Sequence, residues 1–289
     1  MTIWPRPGGP PLESIHAPPP LALADWLHTC DTLHGYSRLV GRIRRELSPA
    51  HPHWWHISLR PVDGGLSAPG IPSGDDRTFD LLLDLRRHAL TASTNDGGRR
   101  SLPLHGQSLR AFTGETLAAL ASLGIEPPID RGMFDDPNPG EYDAGAAVRY
   151  ADALVWVHGV LERFKAGLPG DTSPVQLWPH HFDLAVTWFS GHVVAGVDPA
   201  DREHADEHMT FGFSTGDEAI PEPYFYILAY PWYDDIRRGC LPDGAEWRGS
   251  GWNGGLMRYE RVRQAADPAK LLLEFLRAGQ AAGAAIIHR

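Results

Sequence analysis

Trp26, Cys30, Leu33, Val40, Ile43 and Leu47 recur at steps that keep them on one side of a helix, so residues 22–47 are expected to form a single long helix ended by "SPAHPH". The period then shortens to two. "WWHISLRP" (54–61) alternates and reads as a strand, followed by strands over 78–85, 89–95 and 99–104 with turns at "RRH" and "DGG". A second helix is expected over 108–123. Residues 126–143, "EPPIDRGMFDDPNPGEYD", form a loop that suits a boundary. Beyond it Ala147, Tyr150, Leu154, Val157, Leu161, Phe164 and Leu168 alternate steps of three and four, a clean helical stripe. Strands are expected near 175–190, 209–214 and 223–230, then a Gly/Trp-rich loop over 231–254, a short strand at 255–260 and a helix over 267–285.

This order predicts an α+β fold, an antiparallel sheet with long helices packed on one face. It also predicts two similar helix–sheet–helix halves, 21–125 and 144–289, joined by the 126–143 linker and preceded by a proline-rich arm at 1–20. Both halves run long helix, Pro/Ser-rich turn, aromatic strand, further strands, closing helix. His34 precedes Trp54 by the same interval as His158 precedes Trp178. A tandem duplication would produce this echo; coincidence between two such units is the alternative.

Composition narrows the function classes. The chain has 289 residues, with 42% hydrophobic and 21% charged, enough for a sizeable core and too apolar for disorder. A net charge of −10 excludes a broad nucleic-acid surface. Two cysteines make neither a disulfide framework nor a C-x-x-C metal cluster. With no apolar signal core and no run of about 20 apolar residues, a cytoplasmic protein without a membrane segment is expected. The oligomeric state is left open.

Candidate chemistry centres on "QLWPHHFDLAVTWF" (176–189). As a strand, this stretch would turn Phe182, Leu184, Val186 and Trp188 to the core and His181, Asp183, Ala185 and Thr187 to the other face. The same test on 54–60 puts Trp54, His56, Ser58 and Arg60 on the non-core face. If the two strands are neighbours, His56, His181 and Asp183 converge as a ligand set for one divalent metal, zinc or iron. A bulge at Pro179 would bring in His180. The plainer alternative is polar residues on a solvated sheet face.

"HADEH" (204–208) fits H-x-x-E-H, with a helix expected over 199–208 and Glu207 as the candidate that polarises a metal-bound water; a charged surface loop is the alternative. "GFSTG" (212–216) fits G-x-S-x-G, but two prolines follow where that motif needs a helix. The sequence contains no P-loop and no dinucleotide fingerprint, so no nucleotide cofactor is expected. Trp54, Trp178, Tyr224 and Tyr226 are candidate walls for a small-molecule ligand.

The stretches "HWWHISL" (53–59), "SPVQLWPHHFDLAVTWFSG" (173–191), "EHMTFGFSTGD" (207–217) and "PEPYFYILAYP" (221–231) together resemble a bacterial family catalogued as a domain of unknown function, over nearly the whole chain after the arm. The resemblance transfers no activity. It implies that the His180–His181 pair belongs to a subgroup, that Asp183 is shared more widely, and that Glu207 is a stronger candidate than His208. The first expectation is therefore a metal-dependent enzyme acting on a small molecule, by hydrolysis or oxidation. The alternatives are a non-catalytic binder with an aromatic-lined pocket, and a structural or interaction protein.

Overall fold

The computed structural model describes residues 17–74 and 76–287, so most of the expected proline-rich arm lies outside them. In chain order the elements are α1 (Leu27–Leu47), β1 (Arg60–Val62), β2 (Gly65–Pro72), β3 (Thr78–Asp84), β4 (Ala89–Thr94), β5 (Arg99–Pro103) and α2 (Leu109–Ala121), then α3 (Ala144–Lys165), β6 (Gln176–Trp178), β7 (Asp183–Val193), α4 (Arg202–Ala205), β8 (Asp206–Ser214), β9 (Tyr224–Tyr230), β10 (Ala245–Ser250), β11 (Trp252–Arg258), α5 (Tyr259–Arg263) and α6 (Pro268–Ile287).

Two antiparallel sheets result. The first is the meander β1-β2-β3-β4-β5, and the second runs β10-β11-β9-β8-β7-β6. Leu59 and Leu177 exchange backbone hydrogen bonds of 2.9 and 2.7 Å, which bring the β1 edge of one sheet to the β6 edge of the other. The helices form one layer. α2 lies on β5, α1 on β2, α3 on β1 and β7, and α6 on β8 and β9. One hydrophobic cluster runs through both sheets and the helices, including Leu81, Leu177, Phe211, Leu39, Val157 and Phe275. No described helix is long and apolar enough to cross a membrane. Cys30 and Cys240 are both free.

The α+β class and the helical periods agree with the sequence. Asp143 and Ser108 cap α3 and α2 through bonds to Ala146 and Ala111, as N-cap residues do. Five local features differ, one being that the expected 231–254 loop contains β10 and the start of β11. Residues 54–59 are no strand: Trp54 is left-handed (φ 58°) and Trp55–Ile57 form a 3-10 turn, so pairing begins only at Leu59. No element is expected over 65–72, yet "GLSAPGIP", with two glycines and two prolines, forms β2. An irregularity between Ala68 and Ile71, with Gly70 at φ 65°, absorbs Pro69. The expected 175–190 strand is a hairpin, with Pro179–Phe182 as its turn. Finally, α4 is a single turn, and β8 begins at Asp206 in place of the expected helix end, because its backbone pairs with β7 there.

The two units share a helix followed by a meander. They diverge where β11 inserts between β9 and β10, so this topology does not require a duplication.

Leu177 is fully buried at the junction of the sheets. Leu177→Ala should lower the unfolding free energy by about 2–5 kcal/mol. Because one core serves both sheets, urea melts followed by tryptophan fluorescence and by circular dichroism should stay coincident. Separate transitions for the two probes would contradict a shared core.

Candidate functional site

Directly paired residues in a sheet share a face. Leu184, Phe213 and Phe225 therefore face the helices together, as do Val186, Phe211 and Ile227. The opposite, open face of the larger sheet carries the polar and aromatic residues that the sequence singled out. They fall at its two ends, because six residues separate Asp183 from Phe189 along β7, about 20 Å at ~3.3 Å per residue.

At the first end, Gln176 pairs with Ala185 and Trp178 with Asp183, so Gln176 and Asp183 are diagonal neighbours. The Tyr226 phenol reaches from β9 across Gly212 on β8 and donates a hydrogen bond to Asp183 Oδ2. Only glycine fits beneath it, since a Cβ at 212 would run into the Tyr226 ring. Ser58, from the segment leading into β1, donates to Gln176 Oε1 at 2.6 Å and so fixes which way that amide points. Of the buried side-chain polar atoms without a partner among the described residues, two lie side by side in this row: Gln176 Nε2 and Asp183 Oδ1, on side chains 2% and 9% exposed. Tyr224 donates to Asp217 Oδ2 at 2.8 Å. Ala185, Ile220, Tyr224, Tyr226 and Leu256 make a small apolar cluster, with Trp178 and Trp252 half-buried against it.

Burial pushes the Asp183 carboxyl above its ordinary value; the Tyr226 hydrogen bond and His181 oppose this without reversing it. Burial and the adjacent carboxyl push the Tyr226 phenol up as well. His180 and His181 sit exposed on the hairpin turn, with ring centroids 4.3 Å apart. His180 is lowered to about 4 by burial and by its neighbours His181 and His34. The turn itself is fixed from the other unit. Pro179 packs against α1 at Gly41, where a Cβ would lie 2.6 Å from the proline Cγ, and His34 stacks on Phe182.

At the second end, the 51–56 segment crosses onto β7 and β8. His53 Nε2 lies 2.8 Å from Asp206 Oδ2, and Arg202 donates to the same oxygen from 3.0 and 3.2 Å. Burial raises the Asp206 carboxyl, but the bonds from His53 and Arg202 outweigh it and hold it below the ordinary range. The His208 Nδ1–H donates to the Asp206 carbonyl at 2.7 Å, and its ring stacks on Tyr230. Burial, followed by nearby His53, pulls His208 below the usual imidazole value even though that backbone bond opposes them. Phe189 lies against both rings, at 4.7 Å from His53 and 5.9 Å from His208.

The structure therefore gathers Trp178, Asp183, Tyr224 and Tyr226 at one end, with His180 and His181 on the adjoining turn. It does not bring His56 or Glu207 to them. His56 is in the 3-10 turn, where its Nδ1 accepts from His51 N at 3.0 Å. Trp54 is 37% exposed beside His56, under the Arg45 guanidinium. Glu207 is buried on the helix-covered face, bonded by Ser190 (2.9 Å) and Tyr233 (3.1 Å). Among the described residues, no group of three or more His, Cys, Asp or Glu is placed to hold a metal ion. Sequence reasoning missed Gln176, Gly212 and the pairing of His53 with Asp206; the partners are remote in the chain, and no local motif marks them.

These features define a two-layer α+β protein with an open, aromatic sheet face. The chain belongs to the DUF5996 family, a family of unknown function, whose profile matches residues 18–288. Comparison with curated proteins and with solved structures finds no match.

The raised carboxyl at Asp183 makes a signed prediction. Folding favours its neutral form, so this contribution is complete below the ordinary carboxyl value of 3.8 and is lost as pH rises through the higher folded value. Asp183→Asn is neutral at every pH. It should match the parent near pH 3 and exceed it at pH 7, by about 1.4 kcal/mol for each pH unit by which the carboxyl is raised. Urea unfolding at the two pH values measures this; an equal loss for parent and variant on going from pH 3 to pH 7 would count against it.

Proposed function

We propose that the protein binds a small molecule on the open face of its larger sheet, beside the junction of the two sheets. The observation that carries this reading is the pair of buried, unpartnered polar atoms, Gln176 Nε2 and Asp183 Oδ1, on neighbouring positions of one face. A buried donor or acceptor without a partner costs about 1–3 kcal/mol, and a bound oxygen would relieve both. The Gln176 amide donates from Nε2 and Asp183 Oδ1 offers a lone pair, so the two suit a hydroxyl, which accepts from the first and donates to the second. Trp178 and Trp252 supply apolar area on the same face. A metal-dependent enzyme built on His56, His180, His181, Asp183 and Glu207 is the less favoured reading, because those residues stand at different ends and on different faces of the sheet.

A thermal-shift screen of hydroxyl-bearing metabolites against the parent and Gln176→Leu tests the proposal. A compound that stabilises the parent should bind Gln176→Leu about tenfold more weakly, equivalent to one lost hydrogen bond of about 1.4 kcal/mol. Equal affinities, or a crystal structure with a single fixed water bridging the two side chains and no ligand effect in the screen, would overturn it.

A further inference from the structure

Strand register puts an arginine on the open face of β10. Glu246 pairs with Leu256 and Leu256 with Tyr226, which marks the open face, and Arg248 stands two residues after Glu246. Its pairing partner on β11 is Gly254, and a Cβ there would run into the Trp252 indole, so the ring lies across that glycine. The Arg248 guanidinium carbon is 5.5 Å from the centre of the same ring. Its Nε is buried, and among the described residues the side chain has neither a hydrogen bond nor an ion pair. Arg42 and Arg77 also bury an Nε, but each keeps a carboxylate oxygen beside it, at 2.8 and 3.0 Å. Arg258, on the open face opposite Tyr224, is held by Glu222 at 2.8 Å. Arg248 is thus a cation set against an aromatic ring with its charge unpaired. A guanidinium stacked on a ring uses its face there and keeps the donors along its edge, the fork that takes a carboxylate or phosphate through two parallel hydrogen bonds.

We propose that Arg248 is the anion-binding position of the small-molecule site, so that the ligand carries a carboxylate or phosphate as well as the buried hydroxyl. Printed ring by ring across the sheet, the connection is continuous: Trp252 stacks on Tyr224 and Tyr224 neighbours Tyr226, each at 6.4 Å between ring centres, and Tyr226 donates to Asp183. Three strand spacings separate β11 from β7, about 14 Å at ~4.8 Å each. The ligand is therefore elongated, with its anionic group and its buried hydroxyl at opposite ends of an aromatic floor. The net charge of −10 gives the protein no general attraction for anions, so holding one requires a dedicated cation such as this. The hydroxyl end of this inference rests on the function proposed above; the anion end rests on Arg248.

The test is NMR titration of the full chain with sodium phosphate and, separately, with sodium acetate, each against sodium chloride at equal ionic strength. The Arg248 Nε–H and Trp252 indole N–H resonances should shift and saturate with phosphate or acetate and not with chloride; whichever anion saturates first identifies the phosphate or the carboxylate as the natural group. This readout needs no variant. In Arg248→Gln the Trp252 shift should vanish, and in Arg248→Lys, which keeps the charge without the fork, the anion should bind about tenfold more weakly. Arg258→Gln should titrate like the parent. Gln176→Leu should also leave the phosphate titration unchanged, which separates the two proposals: saturation at Arg248 with no hydroxylated ligand found would remove the earlier reading and leave this position standing. The inference is overturned if the Arg248 Nε–H moves no further in phosphate and acetate than in chloride, or if Arg248→Gln, shown folded by circular dichroism, keeps the parent's Trp252 shift.

Discussion

Everything on the open face depends on one backbone contact, the reciprocal hydrogen bonds between Leu59 and Leu177. Each satisfies an amide and a carbonyl that would otherwise be left at a strand edge. The contact fixes Ser58 against Gln176 on one side of the sheet and buries both leucines on the other. It also sets the direction in which the preceding residues, 51–57, leave the first unit, and so carries His53 to Asp206, 153 residues away in the chain. A short bridge thus does two tasks: it merges two cores into one, and it brings side chains from the first unit to the surface of the second.

Much of the helical layer was legible in the sequence because helix burial is local in period. The stripe from Ala147 to Phe164 turned out buried throughout, and Cys30, Leu33, Val40 and Ile43 pack as the spacing implied. Strand parity was also readable where the strand is regular: Leu184, Val186 and Trp188 face the helices and Asp183 and Ala185 do not. What failed was the point at which a strand starts. Nothing local says that Trp54 takes a left-handed conformation or that Phe182 does (φ 57°). Phe182 is held by tertiary contacts, the stack with His34 and the ring of Tyr150. β2, where no element was expected, was hidden for a different reason. Its glycines and prolines argue for a loop, and a bulge between two good neighbouring strands makes them tolerable.

The candidate site was legible as residue types and illegible as groupings. Asp183, Tyr224, Tyr226 and Trp178 were recognised as unusual and do lie together. The division of the histidines between two ends could not be read, because it follows from the length of β7 and from the 51–57 crossing. The "HADEH" motif illustrates the point. As a helix it would put His204 and His208 side by side; as a strand from Asp206 onward it turns Glu207 and His208 to opposite faces. The same letters support different chemistry once the period changes from 3.6 to two.

Gly41 and Pro179 meet across the boundary between the units, with no space for another carbon between them. Neither residue is polar and neither touches a candidate ligand, yet the pair decides how closely the hairpin turn approaches α1. The two positions are therefore bound to drift together. A chain that acquires a side chain at 41 must shorten or shift the turn at 179, and with it His180, His181 and the start of β7. Divergence among relatives at this turn would then be steered from a helix in the other unit, a steric inheritance that would be invisible to anyone comparing the hairpin alone.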